Sequence, residues 1–329
     1  MANKEILRIN NLVTSFRIQQ KYYAAVDDVS LSVKENEIIA IVGESGCGKS
    51  ALALSITSLH NKNYTKIEGE ILFRGTDLLK LSVGELNKIR GKEISMIFQD
   101  PLTALNPLMT IGAQITETLN VHGGMSKSKN KDTAIDLLNQ VGITNPSLTY
   151  SQYPHELSGG MRQRAMIAIA VSCNPPLIIA DEPTTALDVT IQAQILDLIK
   201  KLQREYKTAT VLITHDLGVV AEMADRIAVM YAGQIVELSP ARELFKNPKH
   251  PYTRSLLSAI PSMKTDTDKL YAIEGTVPTL INLPREGCRF SGRTPWIPPE
   301  YHEEVPVYHE IAPEHFVLCS CHEKFFLEK

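Results

Sequence analysis

The sequence IIAIVGESGCGKS occupies residues 38–50, and it says more about the fold than any other stretch of the chain. The run from Ile38 to Val42 is continuously apolar, which is typical of a strand buried on both faces of an α/β sheet. A G-x-x-x-x-G-K-S pattern follows at once from Gly43 to Ser50, and we expect a helix from Gly48 to His60. A buried strand, a glycine-rich loop and a helix in this order predict a loop that binds phosphate groups.

The chemistry of such a loop comes mostly from its backbone. Glycines let successive N–H groups curl around phosphate oxygens, and the positive end of the helix adds to the attraction. Lys49 can reach the β- and γ-phosphates, and the hydroxyl of Ser50 can bind Mg²⁺. Cys47 is interpreted as a small residue in a tight loop, with a reactive thiol as the alternative. The predicted nucleotide-binding residues are Gly43, Glu44, Ser45, Gly46, Cys47, Gly48, Lys49 and Ser50.

A second apolar strand, from Leu177 to Ala180, leads directly into two carboxylates, Asp181 and Glu182. The carboxyl ends of strands are where α/β sheets place their ligand chemistry. We expect Asp181 to hold Mg²⁺ through water and Glu182 to polarise the attacking water. An acidic pair after a strand often only caps a helix, but together with the phosphate loop it predicts hydrolysis of a nucleoside triphosphate.

The composition excludes several classes of protein. Apolar residues make up 43% of the 329 residues, charged residues 22%, and the net charge is −3, so we expect a globular protein with no nucleic-acid partner. No stretch has the ~18 consecutive apolar residues of a membrane-spanning helix, so any span must come from another polypeptide. The N-terminal MANKEILRIN lacks a signal-peptide core, and five cysteines are an odd number, which together favour reduced thiols in the cytosol.

Periodicity divides the chain into regions. Strand-like alternation dominates the first quarter, helical spacing without strands fills the stretch from Thr110 to Tyr153, and a strand pattern returns at Ala209–Ile213. Prolines cluster after Pro240 and regular periodicity fades. We therefore predict a nucleotide-binding domain over 1–240 and a smaller, loop-rich extension over 241–329.

A third motif, LSGGMRQ at residues 157–163, opens another predicted helix. A serine hydroxyl and glycine N–H groups at a helix start form a second anion cradle. The motif resembles the LSGGQ signature of the ABC-transporter ATPases, with Met161 in the fifth position. This resemblance implies that Ser158, Gly159 and Gly160 bind the γ-phosphate of a nucleotide held by an opposite subunit, so that ATP lies between two chains.

Further family positions follow in order along the chain. Gln99, after the predicted strand Ile94–Phe98, resembles the Q-loop glutamine that senses Mg²⁺ and the membrane partner. The segment Ala186–Asp188 resembles the D-loop, and His215 resembles the switch histidine that contacts the γ-phosphate. The resemblance thus implies that Glu182, His215 and Gln99 serve catalysis, and that Ser50, Gln99 and Asp181 surround the nucleotide-bound Mg²⁺. The aromatic residue that stacks on adenine in this family is left open among Phe16, Tyr22 and Tyr23.

Within this family, the chain most resembles the ATPases of the peptide/nickel importers. These are the dipeptide and oligopeptide permeases, and the resemblance is to their D-type subunit. It rests on residues 98–107, 153–164, 181–190, 250–253 and 287–290. It implies an α/β fold: a RecA-like P-loop NTPase core with an antiparallel β subdomain, a helical ABC subdomain at about 101–172, and the loop-rich C-terminal extension.

In function, the resemblance implies an ATP-hydrolysing subunit that uses ATP and Mg²⁺ to power import of di- or oligopeptides, with nickel or a metal chelate as the alternative cargo. The implied partners are a second ABC ATPase (a homologue or an identical copy), two transmembrane permease subunits and, indirectly, an extracytoplasmic binding protein. The implied location is the cytoplasmic face of the cell membrane. A soluble non-transport ABC ATPase is disfavoured because the chain has neither a second motor domain nor a coiled coil. A P-loop kinase is disfavoured by the signature and by His215.

The C-terminal region departs from the family pattern. Many members of the family that the chain resembles have four cysteines in this region, and these cysteines hold an iron–sulfur cluster. In this chain Cys288 and Cys319 match, Thr294 and Tyr301 replace the middle two, and Cys321 is additional. Because a four-thiolate cluster needs four thiolates, we expect no iron–sulfur cluster. Histidines offer replacement ligands, with a solvated acidic tail as the alternative account; they are His302, His309, His315 and His322.

Overall fold

The computed structural model describes residues 4–122, 126–185, 188–259 and 273–323. The chain folds into two compact units that are each built from several chain segments. The first unit comprises Met1–Ile6, Val33–Glu37 and Lys80–Ile213, and the second comprises Leu7–Ser32, Ile38–Leu79 and Thr214–Lys329. Among the described residues, none of the helices combines the length and the apolar character needed to cross a bilayer.

The secondary structure follows the predicted alternation of strands and helices. The strands are β1 (Glu5–Ile18), β2 (Lys21–Lys34), β3 (Ile38–Val42), β4 (Thr65–Phe73), β5 (Thr76–Asp77), β6 (Ile94–Ile97), β7 (Leu177–Asp181), β8 (Ala209–Ile213), β9 (Arg226–Tyr231), β10 (Gln234–Pro240), β11 (Tyr308–Ala312) and β12 (His315–Leu318). The α-helices are α1 (Lys49–Ile56), α2 (Val83–Ile89), α3 (Pro101–Ala104), α4 (Ile111–His122), α5 (Lys127–Gln140), α6 (Pro146–Ser151), α7 (Gly159–Val171), α8 (Val189–Tyr206), α9 (Leu217–Met223), α10 (Ala241–Lys246) and α11 (Pro251–Ser258).

The helix predicted from Gly48 to His60 is shorter than expected. It ends at Ile56, where Thr57 turns its hydroxyl back to the carbonyl oxygen of Ala53 at 3.2 Å. The next residue, Ser58, has a φ of 52°, a left-handed conformation that turns the chain out of the helix.

The second unit contains β3 together with β9, β10, β11 and β12. All five residues of β3 are buried, as the apolar run predicts, and β3 pairs in parallel with β9. β10 pairs antiparallel with β9 on one side and with β12 on the other, and β11 then pairs with β12. The strands β2, β1, β4 and β5 form a separate sheet in that order, in which β1 and β4 are antiparallel.

The C-terminal extension is more regular than its proline content indicates. It contains α10, α11 and the β11–β12 hairpin, and β12 continues the sheet through its pairing with β10. Three buried aromatic rings tie it to the strands: Tyr231 at the end of β9 packs on Tyr252 of α11 and on Phe290, with ring centroids 4.7 and 5.1 Å apart. Tyr252 and Phe290 also meet, at 5.2 Å. Such tilted and edge-on pairs are the favoured aromatic geometry, so this core fixes the position of the extension.

The first unit joins a parallel sheet to a group of helices. β7 lies between β8 and β6, parallel to both. The stretch predicted as helical between Thr110 and Tyr153 contains α4, α5 and α6, whose apolar stripes supply buried residues such as Ile115, Leu119 and Leu138. The long helix α8 carries the predicted apolar face, with Ile195 and Leu202 buried.

Candidate active site

The phosphate loop begins where β3 ends and finishes at the first turn of α1. Gly48 has a φ of 108° and Gly46 a φ of 80°, conformations that L side chains rarely adopt. A Cβ at Gly48 would overlap the carbonyl oxygen of Ala25, so only glycine fits between this loop and β2. The loop therefore has the tight backbone path that turns N–H groups toward an anion.

Lys49 lies inside the loop that it is predicted to serve. Its ammonium group donates to the carbonyl oxygens of Gly43 at 2.8 Å and Glu44 at 3.1 Å, and the side chain is only 5% exposed. Ser50 is exposed at the amino end of α1, where unpaired N–H groups and the helix dipole attract negative charge.

Cys47 has the structural environment of a packed residue rather than of a reactive thiol. The side chain is fully buried beneath the loop, and burial raises the pKa of the thiol, which keeps it neutral. A side chain at Gly43 would press on the Cys47 sulfur at 2.9 Å, so the loop is closely packed at this point.

Two residues of the C-terminal extension hold the phosphate loop at Glu44. The backbone N–H of Glu44 donates to the hydroxyl of Tyr252 at 2.8 Å. The guanidinium of Arg293 makes a two-pronged ion pair with the Glu44 carboxylate, at 2.6 and 3.1 Å. Arg293 also donates to the carbonyl oxygens of Glu274 and Gly275. Sequence reasoning missed these residues because nothing in the local pattern around 252 or 293 shows that they contact residue 44.

In the first unit the structure brings Gln99 and Glu182 together. The Gln99 amide donates to the Glu182 carboxylate at 3.0 Å, and the hydroxyl of Thr185 donates to the same oxygen at 2.8 Å. Glu182 has a φ of 46°, and its N–H donates to the carbonyl oxygen of Ile213 at 2.9 Å. Asp181, the last residue of β7, is 5% exposed. The carboxylate predicted to polarise water is thus held by hydrogen bonds in a conformation rare for a residue with a side chain.

His215 is exposed in the second unit, just after β8 ends. The preceding residue, Thr214, donates its N–H to the carbonyl oxygen of Ile41 in β3 at 3.2 Å. His215 therefore lies near the end of β3, where the phosphate loop begins. Asp216 accepts hydrogen bonds from the N–H groups of Gly218 and Val219 and so caps α9.

The signature motif caps helix α7 and faces outward. Ser158 is the N-cap residue and accepts from the N–H of Met161 at 3.4 Å. Ser158 and Gly159 are exposed, and a Cβ placed on Gly159 would meet only open space. Behind the motif, the Arg162 guanidinium donates to the Pro154 carbonyl oxygen at 2.7 Å and stiffens the turn. The predicted second anion cradle is accessible to a ligand.

The three aromatic residues considered for adenine stacking differ in exposure and contacts, and the D-loop segment is only partly described. Phe16 packs edge-on against His60 with centroids 5.3 Å apart, whereas Tyr22 is 49% exposed and Tyr23 is half-buried. In the D-loop segment, Ala186 and Leu187 lie outside the described residues, and Asp188 caps α8 by accepting from the N–H of Ile191 at 3.0 Å.

Comparison with known proteins agrees with these motifs. Residues 26–185 match the family described as ABC transporter. The chain is 51% identical to an oligopeptide transport ATP-binding protein, OppD, of Lactococcus lactis subsp. cremoris, over 99% of this chain and 96% of that protein. The chain belongs to the ABC transporter family. Within this family it is 52% identical to the oligopeptide transport ATP-binding protein AppD of Bacillus subtilis, over 88% of each chain.

Residues 236–296 of this ABC protein match a second family, the C-terminal region of oligopeptide/dipeptide transporters. Among solved structures, the dimeric ABC transporter cassette MJ0796 superposes with a TM-score of 0.65 and 32% identity, covering 72% of this chain and 99% of that one. A post-hydrolysis state of the same cassette, with ADP and phosphate bound, superposes with a TM-score of 0.65 and 31% sequence identity. The predicted family resemblance and the predicted P-loop NTPase fold are both confirmed.

Proposed function

We propose that this chain is the ATP-hydrolysing subunit of a membrane importer for di- and oligopeptides, and that it works at the cytoplasmic face of the membrane. The observation that carries the proposal is that both the ABC region and the C-terminal region match oligopeptide transport ATP-binding proteins along nearly the whole chain. We further propose the domain division at residue 240, with residues 1–240 as the nucleotide-binding domain and 241–329 as the extension, because the first family match ends at residue 185 and most of the second, over 236–296, follows residue 240.

In the proposed reaction the phosphate loop holds ATP. N–H groups of the loop and the Lys49 ammonium bind the β- and γ-phosphates, and the constrained glycines keep those N–H groups in place before the nucleotide arrives. Ser50, Gln99 and Asp181 offer the oxygen ligands that Mg²⁺ prefers. The bound ion would neutralise charge that develops on the phosphates.

Glu182 and His215 are assigned to the hydrolytic step. The Glu182 carboxylate accepts a proton from the attacking water, and its hydrogen bonds from Gln99 and Thr185 orient it. His215, exposed after β8, would donate to the γ-phosphate. The water oxygen would bond to the γ-phosphorus as the bond to the β,γ-bridging oxygen breaks, so that ADP and inorganic phosphate leave the site.

A second ATPase chain completes the site in this proposal. The first turn of α7, where Ser158 and Gly159 are exposed, would bind the γ-phosphate of a nucleotide on the partner's phosphate loop. The partner is a homologue or an identical copy, and two permease subunits supply the membrane spans.

Affinity capture tests the partners. The chain is expressed in its native host with a tag free of histidine, membranes are solubilised in detergent, and captured proteins are identified by mass spectrometry. We expect a second ABC ATPase and two membrane-spanning proteins in comparable amounts, and none of them in a strain with the untagged chain. Copurification with ribosomes in place of membrane proteins would contradict the transport function.

Uptake measurements test the cargo. A strain without the gene is complemented with the wild-type chain or with Glu182→Gln, and labelled tripeptide and radioactive nickel are offered separately. We expect the wild-type chain alone to restore peptide uptake, with nickel uptake the same in all strains. Restored nickel uptake without peptide uptake would instead assign the chain to a metal importer.

A further inference from the structure

The second unit brings together four side chains that can bind a metal ion and that have no place in the nucleotide chemistry. They are Cys288, His302, Cys319 and Cys321, which we name the Cys/His cluster. One ligand atom from each of His302, Cys319 and Cys321 lies within 4.8 Å of the others. Cys288 lines the same small cavity as Cys319, and its thiol interacts with the thiol of Cys319.

The backbone delivers these side chains from separate segments of the extension. Cys319 follows directly after β12, and Cys321 lies in the short 3-10 turn Ser320–Glu323. Cys288 precedes the buried Phe290, and His302 follows the turn Pro299–Tyr301. Cys319 has a φ of 76°, which a cysteine rarely adopts, and this conformation aims its sulfur at the group. Strained backbone of this kind is common at ligand-binding positions.

Part of the Cys/His cluster is deeply buried. Cys319 is 1% exposed and Cys321 is 0% exposed. The Nδ1 atom of His302 is buried and has no hydrogen-bond partner, while its Nε2 lies 3.5 Å from the hydroxyl of Thr294. A buried polar nitrogen without a partner is unfavourable, and a metal ion would satisfy it.

The other histidines of this region have other partners. His309 contacts the Glu303 carboxylate at 2.8 Å, His315 contacts Glu237 at 2.7 Å, and His322 is bonded to the carbonyl oxygen of Cys319 at 3.0 Å. Of the four histidines considered as replacement ligands, His302 is the one that has a ring nitrogen within 4.8 Å of the Cys319 and Cys321 sulfurs in the described part of the chain.

A cluster held by four thiolates does not fit these residues. The group contains three cysteines, and Thr294, in the position where a further thiolate would be needed, donates its hydroxyl to the Ser291 carbonyl oxygen at 3.0 Å. The ligand atoms of His302, Cys319 and Cys321 lie within 4.8 Å of one another, which suits one shared ion, since tetrahedral zinc with Zn–S of about 2.3 Å places its ligands roughly 3.5–3.8 Å apart. Cysteines that bind different irons of a cluster lie farther apart.

We propose that Cys288, His302, Cys319 and Cys321 bind one structural zinc ion. Three thiolates and one imidazole are a common ligand set of closed, four-coordinate zinc sites. The ion joins the segment around 288–302 to the end of β12. Arg293, which pairs with Glu44 of the phosphate loop, lies within that segment.

Metal analysis of the full chain tests the proposal. The protein is purified with a tag that contains no histidine, from cells grown with both iron and zinc, and is assayed for zinc, iron and acid-labile sulfide. We expect about one zinc per chain, without sulfide and without a visible absorption band. Iron with sulfide would overturn the proposal in favour of a cluster, and less than about a tenth of an equivalent of any metal would overturn it altogether.

Variants locate the ion. His302→Gln and Cys321→Ser should each lose most of the zinc, whereas His309→Gln and Cys173→Ser should keep it. Cys173 is a cysteine of the first unit whose sulfur lies 3.9 Å from the Thr118 carbonyl oxygen, which makes it a suitable control. Zinc retained by both cluster variants would contradict the ligand assignment.

Cobalt gives a test that does not depend on the variants folding. The wild-type chain is stripped of metal with a chelator and titrated with Co²⁺. Tetrahedral thiolate ligation predicts a sulfur-to-cobalt charge-transfer band and intense visible bands that saturate near one equivalent and disappear when zinc is added. Weak octahedral absorption alone would refute the site.

Discussion

The phosphate loop and the Cys/His cluster lie in the same unit but are assembled in different ways. The loop uses consecutive residues, and its proposed binding groups are mainly backbone N–H donors in a path that the glycine conformations fix. The cluster uses side chains from segments far apart in sequence, which meet only because β12 pairs with β10 and Phe290 packs in the aromatic core. The loop therefore depends on backbone shape, while the cluster depends on every one of its ligands.

The two regions also connect. Arg293 and Tyr252, both from the extension, bind Glu44 of the loop. We therefore expect the extension to support the proposed nucleotide site by holding the loop in place. Substitutions that remove a reacting group should therefore have larger effects than substitutions that only loosen this support.

The largest effect is expected for Glu182→Gln. The amide cannot accept the proton of the attacking water, so hydrolysis should fall by about a hundredfold or more, since a positioned base contributes ~10²–10⁴-fold. ATP binding should remain, because the phosphate loop is unchanged. Phosphate release and equilibrium ATP binding are measured side by side, with the exposed Glu117→Gln of α4 as the control. Near-normal hydrolysis would refute the role of Glu182.

The next effect is expected for Ser158→Arg. A bulky side chain at the exposed start of α7 should block the second anion cradle and lower hydrolysis by about a hundredfold, as loss of a preorganised donor typically costs ~10²–10³-fold. ATP affinity of this chain's own loop should change little. Ser126→Arg is a matched control, because Ser126 caps α5 with the same N–H to hydroxyl distance of 3.4 Å. An equal loss in both variants, or lost affinity at the chain's own loop, would argue against a shared site.

A smaller effect is expected for Arg293→Ala. Hydrogen bonds to a charged group contribute about 1.5–3 kcal/mol, and part of this should appear as a threefold to tenfold weaker binding of ATP. Arg285→Ala is the control, since Arg285 pairs with Asp27 at 3.3 Å and does not contact Glu44. Titration calorimetry gives the affinities. Unchanged ATP affinity, with folding intact by circular dichroism, would show that the extension does not support the loop.

The smallest effect is expected in the reaction rates of the cysteine thiols, which should respond differently to chelation in the two regions. Burial raises the pKa of the Cys47 thiol, so it should react slowly with N-ethylmaleimide whether or not metal is present. The thiols of Cys288, Cys319 and Cys321 should react slowly while the ion is bound and faster after chelation, because removal of the ion frees the segment around 288–302 from the end of β12. Mass spectrometry of the modified peptides measures each site. Chelation that accelerates Cys47 as much as the cluster would contradict the separate causes of their protection.

The same comparison explains what could be predicted from the sequence. The loop, the paired carboxylates and the helix caps depend on near neighbours in the chain, so local motifs were enough to propose Lys49, Glu182 and, with the family resemblance, Ser158. Arg293 and Tyr252 were missed because their contact with Glu44 depends on how the extension packs. For the cluster, composition drew attention to the cysteines and histidines, but only the fold selects His302 and gives His309, His315 and His322 other partners. The proline-rich composition likewise concealed the β11–β12 hairpin, since its pairing with β10 is a tertiary interaction.

The most direct test of the transport function uses proteoliposomes that contain this chain with its captured ATPase and permease partners. ATP is supplied on the side of the ATPase, labelled peptide and binding protein on the other, and ATP hydrolysis and peptide uptake are measured in the same sample. We expect peptide to stimulate hydrolysis and to accumulate, and Glu182→Gln in this chain to reduce both together. Peptide uptake that continues at the wild-type rate in Glu182→Gln vesicles would contradict the assignment of this chain as the hydrolysing subunit.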